Sequence, residues 1–402
     1  MRKVKATLFV GCCVFFSGCM SDNLRSLQLS SSKPSLETTS SIRPSSPLRN
    51  VDSADYEAWK TAYTAYNRQA SVYWEQISAK RKIRNAKRAR GQTIELSDYV
   101  LSQPPLYNGP RKPASGSSSA SRSPIPGIDD FIAASKRVYG FVPERPANEG
   151  EFMRSYVNAA REIGLTSEQL VSIYAFETGG DGTHDLQSGV LKGKTNARPI
   201  STAIGYNQLV ATASVSLMSE YGSDIAQELR QQAQNMSGTK RSKLLQKAVI
   251  VEQMTNKAKT VPHNWGAQAE LAKTDAGLGM HAMTMDKDVG PLLQIHKLKT
   301  SVAFLRKKGL SHSLSGAELE MLNLTGDGNG YDMITMPASY QNKVPTANFF
   351  LRAGYERNPV AIRNNTVATL LSATENKMHA NMQKEGAQLL NGIFQSTAVA
   401  SN

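Results

Sequence analysis

Cysteine is almost absent from this chain. Only three of the 402 residues are cysteines, and all of them, Cys12, Cys13 and Cys19, lie within the first 19 positions. The remaining sequence therefore has no cysteines from which a disulfide framework could form, even in an oxidising compartment. Its fold must depend on the packing of an apolar core.

Long apolar runs are also lacking. The most apolar stretch, ATLFVGCCVFFSG at residues 6–18, is shorter than the ~20 apolar residues that a membrane-spanning helix needs. It follows a short basic start, and this combination is typical of an export signal. We therefore predict that residues 1–18 are a signal peptide.

The end of this stretch, FSGC, resembles the lipobox of bacterial lipoproteins, which implies lipidation of Cys19. Cys12 also follows a glycine, but an apolar core ending there would cover only residues 6–11. Met20 follows Cys19, in place of the aspartate that signals inner-membrane retention in enterobacteria. The resemblance thus implies an outer-membrane lipoprotein facing the periplasm; the alternative is ordinary signal cleavage nearby, with a free cysteine.

Spacings typical of metal or nucleotide sites are missing. The acidic stretches DGTHD and DGNGYD lack the glycine that a calcium loop needs at its sixth position, where Leu186 and Asp332 stand. The histidines show neither H-x-x-x-H nor H-E-x-x-H spacing, and no phosphate-binding glycine pattern occurs. We predict no metal and no cofactor.

Negative charge is scarce, and the imbalance lies mainly before residue 127. The chain has a net charge of +14; residues 19–126 carry 16 lysines and arginines against 8 acids, whereas residues 127–402 have a net charge of only +3. In an exported protein, a basic segment favours anionic lipid headgroups or wall polymers as neighbours. Nucleic acid fits the charge but not the location.

Composition divides the chain into segments. Serine, threonine and proline dominate two of them, which is typical of tethers and linkers. The predicted segments are a signal peptide (1–18), a disordered tether (19–52), an aromatic and basic helical stalk (53–109), a linker (110–127), a globular domain (128–360) and a C-terminal helical tail (361–402). We expect a chain starting near Gly127 to fold without the stalk.

The stalk carries aromatic residues at helical intervals, followed by the basic run KRKIRNAKRAR. Such a stripe can stack on sugar rings, lie at a membrane interface, or pack against its own domain or a copy of itself. The sequence leaves these alternatives open, and with them a cell-envelope protein partner that binds residues 53–109.

The globular part is predicted to be mainly α-helical, because strand-like alternation is scarce. The stretch EFMRSYVNAAREIG places apolar residues on one helical face. Further helices are predicted at 212–236, 239–258, 288–308 and 366–394.

Glu177 lies at the end of another predicted helix. Thr166 and Gln169 have the spacing of a capping box at its start, and the glycine pair 179–180 ends it. Leu170 and Glu177 are seven positions apart and therefore share its apolar face. We expect burial and the helix C-terminus both to raise the pKa of the Glu177 carboxyl, which suits a general acid. The alternative is a solvated residue beside a turn.

Two segments resemble signatures of the lysozyme-like lytic transglycosylases and goose-type lysozymes. One is ETGGD, which begins at Glu177; the other is STAIGYNQLV, with Ser201, Ala203, Gly205 and Gln208 at the family's internal spacing. Two weaker segments, at 290–309 and 320–330, resemble the helix behind the cleft and a tyrosine-containing loop of the family, with Asn323 at the tyrosine position.

The resemblance implies a lysozyme-like domain that cleaves peptidoglycan glycan strands between MurNAc and GlcNAc. Glu177 would be the single catalytic residue; Ser201, Gly205, Tyr206, Gln208 and Asn323 would bind substrate. Products of a lytic transglycosylase end in 1,6-anhydromuramoyl groups.

Two alternatives remain. One is a hydrolytic muramidase, in which Asp181 or Asp185 would activate water. The other is a non-catalytic peptidoglycan-binding or scaffold lipoprotein, which the altered cleft rim favours.

Overall fold

The computed structural model describes residues 53–113, 124–190, 197–310 and 313–399. This part of the chain is mainly α-helical and contains no β-strand beyond isolated bridges. Cys19 and the predicted signal peptide and tether lie outside the described residues. The helices are α1 (Ser53–Ala89), α2 (Ile128–Tyr139), α3 (Glu149–Glu162), α4 (Ser167–Thr178), α5 (Ala211–Gln234), α6 (Gly238–Ala258), α7 (Trp265–Ala272), α8 (Asp275–Ala282), α9 (Val289–Lys307), α10 (Gly316–Thr325), α11 (Asp327–Thr335), α12 (Ala338–Gln341), α13 (Arg352–Tyr355), α14 (Pro359–Arg363), α15 (Val367–Met382) and α16 (Glu385–Val399).

The described residues form two compact units. One contains residues 77–103, 125–190, 197–310 and 313–399, and the other contains residues 53–76, 104–113 and 124. Helix α1 runs through the boundary at residue 76. The structure thus divides the chain differently from the composition, which assigns residues 53–109 as a whole to a separate stalk.

In the larger unit, α4 is the helix that carries Glu177. The prediction of its start is confirmed: the Thr166 side chain accepts from the Gln169 amide, and the Gln169 side chain accepts in return. Gly179 ends the helix in the left-handed conformation, at φ 73°. Helices α10, α15 and α16 pack against α4, so its side chains from Gln169 to Phe176 are buried.

Most of the other predicted helices are observed within one or two residues of their expected bounds, at α3, α5, α6 and α9. The stretch 366–394 forms two helices, α15 and α16, that pack against each other and against α4. Residues 367–399 therefore belong to the same core as α4, whereas composition had suggested a tail beginning at 361.

Residues 77–103 join this core through buried polar contacts. Arg84 is fully buried, and its guanidinium donates to the carbonyls of Asp98 (3.1 Å) and Asn348 (2.8 Å). Arg88 Nε donates to Asp332 Oδ1 at 2.8 Å. Burial lowers the pKa of Arg84 to about 10, although the nearby Asp332 carboxylate opposes the shift.

In the smaller unit, the aromatic stripe of α1 is a chain of ring contacts. Trp59 and Tyr63 are stacked with centroids 5.4 Å apart, and Tyr66 continues the series at 5.9 Å from Tyr63. Tyr107 meets both tyrosines edge-on. Part of the stripe is therefore covered by the chain itself. Among the described residues, no helix combines the length and apolar character needed to cross a bilayer.

Candidate active site

Glu177 lies in the last turn of α4 with its carboxyl directed at α10. Its Oε1 accepts a hydrogen bond from Asn323 Nδ2 at 3.1 Å, and its Oε2 is shielded from solvent. The turn after it is tightly enclosed, because a Cβ at Gly180 would lie 2.3 Å from the Asn381 carbonyl oxygen. The backbone of α15 thus packs directly against the turn that follows Glu177.

A second carboxylate lies beside this pair. Glu320, one turn before Asn323 on α10, is fully buried, and both of its oxygens lie 3.3–3.4 Å from Asn323 Nδ2. Sequence reasoning missed this residue. The helical spacing of three positions between Glu320 and Asn323 is the signal that could have found it.

The STAIGYNQLV segment forms a tight loop beside α4. Ile204 makes isolated antiparallel bridges to Gln187 and to Leu209. Gln208 has a positive φ of 43°, and its Nε2 donates to the carbonyls of Leu186 (3.0 Å) and Gly205 (2.9 Å). The Gln208 side chain is thereby used to close the loop.

Gly205 is required by two features of this loop. Its φ is +83°, and a Cβ there would lie 2.6 Å from Gln294 Nε2. The side-chain oxygen of the same Gln294, on α9, accepts from the backbone N–H of Asn207 at 2.9 Å. Asn207 in turn accepts from Tyr156 Oη at 2.6 Å. The loop is thus attached to both α3 and α9.

Tyr206 has no exposed surface. Its ring lies edge-on to the rings of Tyr156 and Tyr174, and its hydroxyl donates to Glu149. Burial raises the pKa of Tyr206 well above its ordinary value, and the Glu149 carboxylate adds to the effect. Ser201 is half-buried, and its Oγ accepts from the Ala203 amide at 3.1 Å.

Asp181 and Asp185 are both engaged in structural contacts. Asp181 Oδ1 accepts from the Gly386 amide at 3.1 Å, at the start of α16. Asp185 is paired with Arg145 and accepts from Thr183 Oγ1 at 2.6 Å. Burial alone would raise the pKa of Asp185, but these partners and the nearby His184 outweigh it, so the pKa lies below its ordinary value.

The structure therefore brings Glu177 and Asn323 together in one hydrogen-bonded group. Ser201, Gly205, Tyr206 and Gln208 belong to a separate loop, which reaches α4 through the contact of the Tyr206 ring with Tyr174. A further support of this loop, His281, is fully buried, and no sequence spacing pointed to it. Its Nε2 lies 2.6 Å from the Thr202 carbonyl, and its Nδ1 lies 2.8 Å from Ser214 Oγ.

No group of three or more histidine, cysteine, aspartate or glutamate residues within the described ranges is arranged to hold a metal ion. Comparisons with protein-family models, with curated proteins and with solved structures found no match to this chain.

Proposed function

We propose that the chain is a lipid-anchored lytic transglycosylase with a lysozyme-like domain that cuts the glycan strands of peptidoglycan. The observation that carries the proposal is the placement of Glu177. Its carboxyl ends a buried helix, is partly shielded from solvent and accepts from Asn323. A shielded carboxyl favours its neutral form, which is the form that donates a proton.

In this mechanism Glu177 gives its proton to the glycosidic oxygen as the bond from that oxygen to C1 of MurNAc breaks. The 6-hydroxyl of the same sugar then forms a bond to C1, and Glu177 takes up the proton that this hydroxyl loses. The products are a 1,6-anhydromuramoyl end and a GlcNAc end with a free hydroxyl. One carboxyl is sufficient, and no water is consumed.

The contacts of the other acids support this choice over hydrolysis. A retaining hydrolase needs a second carboxylate about 5 Å from the acid, and an inverting one needs a base at about 6.5–9.5 Å with room for water. Asp181 and Asp185 are held by Gly386 and Arg145. Glu320 is near Glu177 but has no exposed surface.

The loop residues do not all have the same role in this proposal. Ser201 keeps partial exposure and suits sugar contact, whereas Tyr206 and Gln208 are buried and shape the loop from within. That burial is the observation that favours the second candidate function, a non-catalytic peptidoglycan-binding lipoprotein whose sugar-contacting rim has been lost.

The test compares the wild-type protein with its Glu177→Gln variant on purified peptidoglycan, with mass analysis of the released ends. An amide has nearly the same shape but cannot deliver the proton, so we expect the rate to fall by roughly 10²–10⁴-fold or more while the fold is kept. Wild-type products should carry 1,6-anhydromuramoyl ends. Reducing ends would indicate a hydrolase, and binding without cleavage would indicate the second candidate.

A further inference from the structure

One amide group contacts both carboxylates at the site. Asn323 Nδ2 lies 3.1 Å from Glu177 Oε1 and 3.3–3.4 Å from the two oxygens of Glu320. Asn323 has only 3% of its surface exposed, and Glu320 has none. Asn323 and Glu320 are therefore buried beside the half-buried Glu177, and the nitrogen of Asn323 faces acceptors on both carboxyl groups.

This arrangement fixes which way the amide of Asn323 points. A side-chain amide has two N–H donors on nitrogen and only acceptor lone pairs on oxygen, and a carboxyl group, whether ionised or neutral, keeps at least one oxygen that only accepts. If the amide were reversed, its oxygen would face at least one oxygen of Glu320 without a hydrogen between them. Because burial makes such a mismatch costly, Glu320 selects the orientation in which the nitrogen points inward.

The same orientation serves Glu177. With its nitrogen turned toward Glu320, Asn323 also presents an N–H to Oε1 of Glu177. We propose that Glu320 is a positioning residue for the acid: it fixes the amide of Asn323, and through that amide the carboxyl of Glu177. This inference rests on the proposed function, in which Glu177 is the proton donor.

The first experiment measures kcat and KM on a soluble peptidoglycan oligosaccharide for full chains carrying Glu320→Gln, Asn323→Ala or both changes. Glutamine keeps the shape of Glu320 but can both donate and accept, so it no longer selects one orientation of Asn323. We expect kcat of the Glu320→Gln variant to fall by as much as ~10²-fold, since misplacement of a catalytic group acts on the chemical step. KM should change little.

The double variant tests whether the effect passes through Asn323. If it does, the double variant should have the same kcat as Asn323→Ala alone, because the two losses are not additive. The matched control is Glu375→Gln, an exposed residue on α15, which should keep wild-type kcat. Thermal unfolding of each variant separates a loss of positioning from a loss of fold.

A second readout does not depend on activity. In the wild-type protein labelled with ¹⁵N-asparagine, the Asn323 side-chain amide protons should exchange slowly with solvent, and Glu320→Gln should speed this exchange. Unchanged kcat in Glu320→Gln, losses that multiply in the double variant, or unchanged exchange would each overturn the proposal. Absence of cleavage by the wild-type protein would instead contradict the proposed function, and the exchange rates would then decide alone whether Glu320 holds the amide.

Discussion

Under the proposed function, the choice between lytic and hydrolytic chemistry depends on Asp181 and Asp185. Each follows Glu177 closely in sequence, and each has its carboxylate committed to a neighbour. Asp181 accepts from the first turn of α16, and Asp185 pairs with Arg145. These contacts give both residues a structural role in holding the segment after α4.

We expect Asp181→Asn and Asp185→Asn to keep the 1,6-anhydromuramoyl products and most of the cleavage rate. The asparagine Oδ1 can still accept from Gly386, and the loss of the half-exposed pair with Arg145 is a loss of modest stabilisation. Mass analysis of released ends checks this, with Glu177→Gln as the inactive reference. Collapse of activity in either variant would restore that aspartate as a water-activating base.

His281 makes the stability of the site loop depend on pH. Its Nε2 donates to the Thr202 carbonyl, and in the neutral ring its Nδ1 accepts from the Ser214 hydroxyl. Burial lowers the pKa of His281 to about 4, and the Thr202 carbonyl offsets this only in part. The folded state therefore resists protonation that the unfolded chain accepts at its ordinary pKa of ~6.5.

The stabilisation that neutral His281 provides is fully present above the pKa of ~6.5 in the unfolded chain. It is lost as the pH falls toward 4, because the unfolded chain binds a proton at higher pH than the folded protein does. Between pH 7 and pH 5 the free energy of unfolding should drop by about 2 kcal/mol through this residue alone. His281→Gln should remove that part of the drop, which urea unfolding of both proteins at the two pH values measures. An equal drop in both proteins would contradict it.

At the scale of elements, α4 shows what local sequence can determine. Its start follows from the Thr166–Gln169 capping box and its end from Gly179, and each of these signals lies at the end of the helix that it determines. The enclosure of Gly180 could not be predicted this way, because the atom that crowds it is the carbonyl of Asn381 in another helix. The contact between Asn323 and Glu177 could not be predicted for a related reason: it depends on the packing of α10 on α4, whereas Glu320 lies three positions before Asn323 on the same helix.

In the second half of α1, by contrast, the local sequence does not indicate the contacts that the side chains make. Its basic run suggests a solvated or anion-binding surface, but Arg84 and Arg88 contact partners 244 or more positions away. Arg84 also lies over the ring of Tyr99 at 4.7 Å from its centroid. No local pattern indicates such partners, so composition placed these residues in a stalk outside the core.

The contacts of residues 77–103 therefore argue against the expectation that a chain starting near Gly127 folds by itself. Without residues 77–103, the buried Asp332 loses the guanidinium groups of Arg84 and Arg88. Removing one side of a buried ion pair typically costs about 3–5 kcal/mol. We expect a chain starting at Gly127 to unfold at much lower temperature than one starting at Ile77, as measured by circular dichroism. Equal melting temperatures would show that residues 77–103 add nothing to the core.

At the scale of the whole molecule, what the charge pattern implies about binding partners depends on which groups each cation already contacts. Five members of the basic run donate to groups within the larger unit: Lys80, Arg81, Arg84, Lys87 and Arg88. Lys82 and Arg90 remain exposed. The net charge of this segment thus overstates what it offers to anionic lipids or wall polymers, and the proposed attachment to a membrane rests on another feature of the chain.

The predicted feature is the lipidated Cys19. The acyl chain of a lipidated cysteine binds to a membrane by burying its CH₂ groups in the bilayer, at about 0.8 kcal/mol for each group. We expect Cys19→Ser to move the protein from the membrane fraction to the soluble fraction when expressed in a bacterial host. Cys12→Ser is the matched control and should remain with the membranes, because the apolar core before Cys12 is too short to serve as the signal. If Cys19→Ser still sediments with membranes, the lipobox prediction is wrong, and the exposed surfaces of the mature chain become the place to look for the attachment.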